Sequence, residues 1–254
     1  MVSSLASTSW GSGPLLVVCH GFTQNAAAWG PFGTFLGEHR TVVAVDLPGH
    51  GGSSHVTGTL EEAAEDILDL MGADPFDLVG YSMGGRVGLT MALRHPPTLR
   101  RLVMIGATAG LTSAGQRADR RAADERLALK LEDEGLERFL TWWLDQPLFS
   151  SLDAEDSARD ARMTNDAAGL AASLRTMGTG TQEPSWGRLH EIKVPTLFVA
   201  GARDHRFCAV GRRMMAAVPD GSLVVVSGTG HACHLEAPST TSRAIESWLA
   251  STDH

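Results

Sequence analysis

The stretch FDLVGYSMG, residues 76–84, joins an apolar run to a Gly-x-Ser-x-Gly motif. The apolar run, 76–79, predicts a buried β-strand, and residues 82–94 predict a helix that begins directly after it. A serine between two glycines at such a junction is typical of a nucleophile on a sharp strand-to-helix turn, because a Cβ at either glycine would clash with the backbone. We therefore interpret Ser82 as a candidate nucleophile.

Residues that could activate this serine follow it in the order acid, then histidine, as the motif requires. Asp204 comes directly after an apolar strand-like run at 195–201, and His231 comes a few residues after another at 223–226. Carboxyl ends of parallel strands meet at one edge of a sheet. The three side chains are therefore candidates for a Ser-His-Asp triad.

The sequence also predicts backbone N–H groups that could stabilise negative charge on a substrate oxygen during the reaction. An early apolar run, 15–18, leads into His20-Gly21-Phe22. The N–H of Phe22 and the N–H of Met83, which follows the serine, are the expected pair of an oxyanion hole.

Strand-like runs alternate with helical stretches, which indicates one α/β domain with a mostly parallel central sheet flanked by helices. The expected strands are 15–18, 42–46, 76–80, 99–106, 196–201 and 223–226, and the expected helices are 60–71, 82–94, 210–218 and 240–250. From 111 to 189 the chain is helical without an apolar strand run. We expect this segment to be a helical cap inserted into a core formed by residues 1–110 and 190–254.

Composition limits the classes of function. The chain has 254 residues and a formal net charge of −8, which argues against a nucleic-acid surface. No apolar stretch approaches the roughly 18 residues of a membrane span, and residues 1–10 do not resemble a signal peptide. Three cysteines, at 19, 208 and 233, lack Cys-x-x-Cys spacing, which suits the cytoplasm. We expect no metal and no cofactor.

Three arginines share one face of a predicted cap helix: Arg117, Arg120 and Arg121. They are either a solvated face paired with acids on the same helix or a group that hangs over the Ser82 site. Arg86, on the helix that follows the serine, and Arg162, in the cap, favour the second interpretation. Converging arginines bind carboxylates. The pattern predicts a small substrate with more than one carboxylate.

Seven segments of the chain resemble those of a known family. The segments that carry the resemblance are HGFT from 20, DLPGHGGS from 46, LVGYSMGGR from 78, QRADR from 116, QPLF from 146, GARD from 201 and GH from 230. They are similar to the α/β-hydrolase-fold synthases of menaquinone biosynthesis, and the similarity covers nearly the whole chain after the first dozen residues. Tyr81, Arg86 and the Gln-Arg-x-x-Arg cap pattern are its most specific parts.

The resemblance implies an α/β-hydrolase fold with an inserted helical cap, and a role for each site residue. It implies a triad of Ser82, Asp204 and His231 and an oxyanion hole of the Phe22 and Met83 N–H groups. The substrate-binding residues that it implies are Tyr81, Arg86, Arg120, Trp143 and Arg162.

The resemblance also implies a carbon–oxygen lyase. Such an enzyme forms 2-succinyl-6-hydroxy-2,4-cyclohexadiene-1-carboxylate (SHCHC) by eliminating pyruvate from its enolpyruvyl precursor, with proton abstraction by the triad and no acyl-enzyme. Two alternatives stay open: a serine hydrolase of an ester or carbon–carbon bond in an acidic small molecule, and a non-catalytic binding protein of the same fold.

Overall fold

A computed structural model of the chain describes residues 5–252. The strands are β1 (Ser7–Gly11), β2 (Leu15–Cys19), β3 (Thr41–Val45), β4 (Phe76–Tyr81), β5 (Leu99–Ile105), β6 (Thr196–Gly201) and β7 (Gly221–Val226). The helices are α1 (Gly30–Gly37), α2 (Leu60–Met71), α3 (Met83–Ala92), α4 (Ala114–Glu134), α5 (Leu136–Leu144), α6 (Arg159–Arg162), α7 (Ala167–Met177), α8 (His205–Met215), α9 (Cys233–Glu236) and α10 (Pro238–Ser251).

The strands form one sheet in the order β1-β3-β2-β4-β5-β6-β7. The antiparallel pair is β1 with β3, and the other neighbours run parallel, so the predicted mostly parallel sheet is confirmed. Side chains alternate between its two faces. Val17 and Cys19 face a core shared with α2, α3 and α8, whereas Leu16 and Val18 face a core shared with α1 and α10.

Two elements next to the N-terminus lie outside the predicted pattern. Strand β1 pairs with β3 at the sheet edge, and helix α1 contains Gly33 and Gly37, which have low helix propensity. These glycines are needed by packing: a Cβ on Gly37 would lie 2.6 Å from the Trp10 side chain, and one on Gly33 would lie 3.0 Å from it. Tertiary contact with β1 therefore overrides the local preference.

Helix α8 begins five residues before the predicted start at 210. The Asp204 side chain accepts a hydrogen bond from the Phe207 N–H at 3.0 Å and so caps the helix directly after β6. This cap places residues 205–207 in the first helical turn, next to the end of the strand.

The segment between β5 and β6 contains helices α4 to α7, in agreement with the helical segment expected from the sequence. They enclose a small apolar cluster of their own, which includes Leu131, Phe139 and Leu170. The two strands that flank the segment are hydrogen-bonded neighbours, with Ile105 paired to Val199. The division into core and cap at residues 111 and 189 stays a prediction. Within residues 5–252, no helix combines the length and apolar character needed to cross a membrane.

Candidate active site

Ser82 stands at the carboxyl end of β4 in a strained backbone conformation. Its φ is +50° and its ψ is −102°, a region that non-glycine residues rarely occupy. The neighbouring glycines make the turn possible: a Cβ on Gly84 would lie 2.0 Å from the Cys19 carbonyl oxygen, and one on Gly80 would lie 2.4 Å from the Gly84 oxygen. The Ser82 N–H donates to the Ile105 carbonyl at 2.8 Å and ties the turn to β5.

His231 lies between Asp204 and Ser82. Its Nδ1 is 2.8 Å from Asp204 Oδ2, and its Nε2 is 3.4 Å from Ser82 Oγ. A carboxylate only accepts hydrogen bonds, so Nδ1 carries the proton and the lone pair of Nε2 faces the serine. Burial raises the pKa of Asp204, but hydrogen bonds from His231 and the Phe207 N–H outweigh it and hold that pKa below its ordinary value.

The loop that carries His231 is held by hydrogen bonds from the residues before and after the histidine. The carboxylate of Glu236 accepts from the Gly230 N–H at 2.7 Å and from the Ala232 N–H at 3.2 Å. Charge-assisted bonds of this kind are stronger than neutral ones. Glu236 therefore limits the motion of the residue between the two amides.

The predicted oxyanion donors, Phe22 and Met83, line the same pocket as Ser82. Neither N–H has a hydrogen-bond acceptor in the described part of the chain. The loop with Phe22 is held close to β4, because a Cβ on Gly21 would lie 2.7 Å from the Tyr81 ring. Both donors are thus available to a ligand at the serine.

The pocket over Ser82 is lined by residues of the sheet edge and of the helices above it. Its charged lining consists of three arginines and no aspartate or glutamate among the described residues. The lining includes Phe22, Ser82, Met83, Arg86, Arg120, Trp143, Arg206, Phe207 and His231. A cavity with this lining is suited to an anionic ligand.

Two of these arginines were predicted from the sequence. Arg86 is 7% exposed, and its Nη1 is buried without a hydrogen-bond partner. Burial, with a further contribution from the charge of Arg120, lowers the pKa of Arg86 to about 10, so the side chain is still cationic at neutral pH. Arg120 Nε donates to Asp124 Oδ1 at 2.8 Å. The pocket lining thus includes the unpaired, buried Nη1 of Arg86 and the half-exposed guanidinium of Arg120.

The other two arginines of the predicted face have partners away from the pocket. Arg117 donates to the carbonyls of Leu111 and Thr112, and Arg121 donates to the Gly180 carbonyl. Each of the two interpretations of this face is correct in part. Arg120 lines the pocket, as the second interpretation requires, and it is also paired with an acid of its own helix, as the first requires.

Arg162 lies behind the pocket wall. Its guanidinium is fully buried, and it donates from Nε to the Ser157 carbonyl at 2.8 Å and from Nη1 to Thr23 Oγ1 and the Phe22 carbonyl. Burial lowers its pKa to about 10. In this structure the side chain holds the loop that carries Phe22, and its predicted contact with substrate stays a prediction.

The two predicted aromatic residues occupy different positions. Trp143 lines the pocket, stacks on Phe139 at 5.9 Å between ring centroids and meets Phe22 edge-on at 5.3 Å. Tyr81 is buried under the site, with its ring centroid 5.4 Å from that of His231. Tyr81 supports the histidine and does not line the pocket.

Arg206 and Phe207 are among the pocket residues that were not predicted from the sequence. They follow Asp204 in the first turn of α8, and the Phe207 ring packs on His231 with centroids 4.7 Å apart. The predicted start of α8 lies at 210, so residues 205–207 were not assigned to the helix. Recognising Asp204 as the N-cap residue would have placed both in its first turn. Among residues 5–252, no group of three or more His, Cys, Asp or Glu is arranged to hold a metal ion.

The fold and this site define a class. A family model described as "Alpha/beta hydrolase family" matches residues 16–244, and the chain belongs to that family. The α/β-hydrolase fold predicted from the sequence is confirmed.

Relatives and a solved structure narrow the class further. A Bacillus subtilis protein with the provisional name SHCHC synthase is 35% identical over 92% of this chain and 90% of its own length. The SHCHC synthase of Serratia proteamaculans is 33% identical over 93% of each chain. The structure of MenH from S. aureus superimposes with a TM-score of 0.90 at 29% identity, covering 98% of this chain and 99% of the other. The predicted membership of the SHCHC synthase family of enzymes is confirmed.

Proposed function

We propose that the protein is a lyase that eliminates pyruvate from 2-succinyl-5-enolpyruvyl-6-hydroxy-3-cyclohexene-1-carboxylate to give SHCHC. The observation that carries the proposal is a serine–histidine pair at the floor of a pocket whose charged lining is entirely arginine. The substrate bears three carboxylates, on the succinyl, ring and enolpyruvyl groups. A pocket for a neutral ester would not need these cations.

The first step is removal of the ring proton beside the succinyl ketone. Asp204 orients His231, and Nε2 of His231 accepts the Ser82 proton so that Ser82 Oγ takes the proton from carbon. The electron pair left on carbon delocalises onto the ketone oxygen. The N–H groups of Phe22 and Met83 stabilise that oxygen, a contribution of several kcal/mol in a preorganised site.

The second step breaks the carbon–oxygen bond to the enolpyruvyl group. The electron pair returns from the ketone oxygen and moves through the ring, and the enolpyruvyl oxygen departs with the bonding pair as the enolate of pyruvate. Protonation of the enolate carbon gives pyruvate. One proton leaves the ring and one is added to the product, so no oxidant, cofactor or acyl-enzyme is required.

Arg86 and Arg120 bind carboxylates of the substrate and hold the reacting carbon near Ser82. Fixing two charged groups removes most of the orientational freedom of the substrate before the proton is transferred. Trp143 provides an apolar wall for the ring. The cytoplasm is the expected location, as the cysteines indicate.

Pyruvate release tests the proposal. Purified protein is mixed with the enolpyruvyl substrate, and pyruvate is followed through lactate dehydrogenase while the conjugated diene is followed by absorbance. Stoichiometric appearance of both products is expected, with none for Ser82→Ala. Absence of pyruvate, together with rapid cleavage of p-nitrophenyl esters, would favour the hydrolase alternative, in which Ser82 attacks a carbonyl.

A further inference from the structure

Arg206 is the third arginine on the pocket wall. It is the second residue of α8, two positions after Asp204, and its side chain is exposed at the mouth of the pocket. Within residues 5–252 its guanidinium makes no hydrogen bond or ion pair. Of the other arginines on this helix, Arg213 lies over the Trp186 ring, and Arg212 is in the last turn, outside the pocket lining.

Arg206 contacts an aromatic ring, and its charge also interacts with that of Asp204 without a hydrogen bond between them. The guanidinium carbon lies 5.5 Å from the centroid of Phe207, and the Phe207 ring packs on His231. Contact with a ring face positions a guanidinium without using its N–H donors. The donors of Arg206 are therefore available to a ligand that lies against His231.

The remaining arginine predicted to bind substrate, Arg162, forms hydrogen bonds within the protein. Its Nε and Nη1 donate to Ser157, Phe22 and Thr23, and it is not part of the pocket lining. Its Nη2 is buried without a hydrogen-bond partner, but the residue lies outside the pocket lining, so substrate contact would require the loop of Phe22 or the side chain to move. Arg206 requires no such rearrangement.

We propose that Arg206 binds a carboxylate of the substrate and, with Arg86 and Arg120, completes the set of three cations that selects a tricarboxylate. This inference rests on the proposed function, because it takes the number of carboxylates from the proposed substrate. It assigns Arg206 to substrate binding on the His231 side of the pocket and leaves proton transfer to the triad.

The exposed position of Arg206 at the mouth of the pocket determines how much its replacement should change KM. An exposed charge pair is weaker than a buried one and is screened by salt. We expect Arg206→Ala to raise KM by about three- to tenfold at low ionic strength, with kcat within about twofold of wild type, and this difference to shrink in 0.5 M salt. Arg206→Lys should fall between the two, since an ammonium keeps the charge but not the planar pair of donors.

Steady-state kinetics of pyruvate release on wild type, Arg206→Ala, Arg206→Lys and Arg212→Ala tests the inference. Arg212→Ala removes the same charge from the same helix away from the pocket and should match wild type. A substrate-binding role predicts a change in KM, whereas an effect through the nearby carboxylate of Asp204 would appear in kcat and its pH profile. Thermal melts establish that each variant is folded.

Two outcomes separate this inference from the proposed function. If wild type releases pyruvate and Arg206→Ala has the same KM as Arg212→Ala, the role of Arg206 is refuted while the function stands. If wild type releases no pyruvate, the proposed function is refuted, and the tricarboxylate assignment falls with it. A rise in KM for Arg206→Ala alone supports the inference.

Discussion

Arg120 donates through Nε to Oδ1 of Asp124, one helical turn further along α4, at 2.8 Å. This contact leaves the two terminal nitrogens of the guanidinium for another partner. Asp124 is only 2% exposed, and its burial raises its pKa despite the opposing charges of Arg120 and Arg86. The acid orients Arg120 toward the pocket and offsets part of the repulsion between the two arginines.

Replacement of Asp124 tests this relationship. Asp124→Asn retains the shape but weakens the pair with Arg120, so we expect KM to rise about threefold or more while kcat changes less. Asp119→Asn, on the exposed side of α4, is the matched control. Equal kinetics for the two variants would show that Arg120 needs no orienting acid.

Arg86 should contribute more to binding than any exposed arginine of the site. Its buried Nη1 has no partner in the protein, so a substrate carboxylate would satisfy a donor that burial has already desolvated. We expect Arg86→Ala to lower kcat/KM by roughly tenfold or more, and Arg86→Lys to restore only part of it. Arg126→Ala, an exposed change in the cap, provides the control, and a wild-type kcat/KM for Arg86→Ala would remove Arg86 from the site.

The triad should act as one proton-transfer unit. Ser82→Ala, Asp204→Asn and His231→Ala are each expected to reduce kcat by orders of magnitude, and the double variant of Ser82 and His231 to be little worse than either single one. Ser82→Ala and Asp204→Asn should melt near wild type because they remove little packing, whereas His231→Ala loses ring contacts with Tyr81 and Phe207 and should melt lower. Additive losses in the double variant would contradict a shared role.

Ser82 should not become acylated during turnover. If its oxygen only relays a proton, intact-mass spectrometry of enzyme quenched under turnover should give the unmodified mass. A burst of product with an adduct on the peptide that contains Ser82 would mark it as a nucleophile. Incubation of the same enzyme with an activated ester, which acylates reactive serines, is the positive control.

Acid should destabilise the fold through three buried histidines. Burial lowers the pKa of His20 to about 4 and those of His50 and His234 to about 3. Below pH 6.5 the unfolded chain protonates these rings and the folded chain does not, so the unfolded state binds more protons. Stability should therefore fall as pH decreases from 6.5 toward 4, by up to about 1.4 kcal/mol per pH unit for each ring.

Denaturant unfolding of wild type and His234→Gln at several pH values between 7.5 and 5 measures this effect. The variant lacks one buried imidazole, so its stability should depend less steeply on pH, whatever its absolute stability. Parallel curves for the two proteins would show that His234 does not contribute to the loss.

The sheet and the triad geometry were predictable because both depend on local patterns. Parallel strands bring their carboxyl ends to one edge, and the motif around Ser82 together with the runs before Asp204 and His231 specifies which strands those are. The position of Arg162 was not predictable in this way. Its guanidinium is directed by backbone carbonyls of two loops, and no periodicity in the chain encodes their approach.

Arg206 and β1 were missed for a related reason. The cap at Asp204 moves the start of α8 and brings Arg206 to the pocket, while Gly33 and Gly37 accommodate Trp10 of β1. For β1, contacts between elements prevail over the preferences of single residues, whereas the start of α8 follows from a local cap that the sequence analysis overlooked.

The helices between β5 and β6 leave and re-enter the sheet at neighbouring strands, and the triad residues lie outside that segment. Arg120 and Trp143 belong to it. An exchange of this segment would therefore replace part of the substrate-recognition surface without altering a strand pairing or a member of the triad. Part of the proposed substrate-binding surface is thus encoded apart from the candidate triad, whereas Arg86 and Arg206 would stay with the sheet in any such exchange.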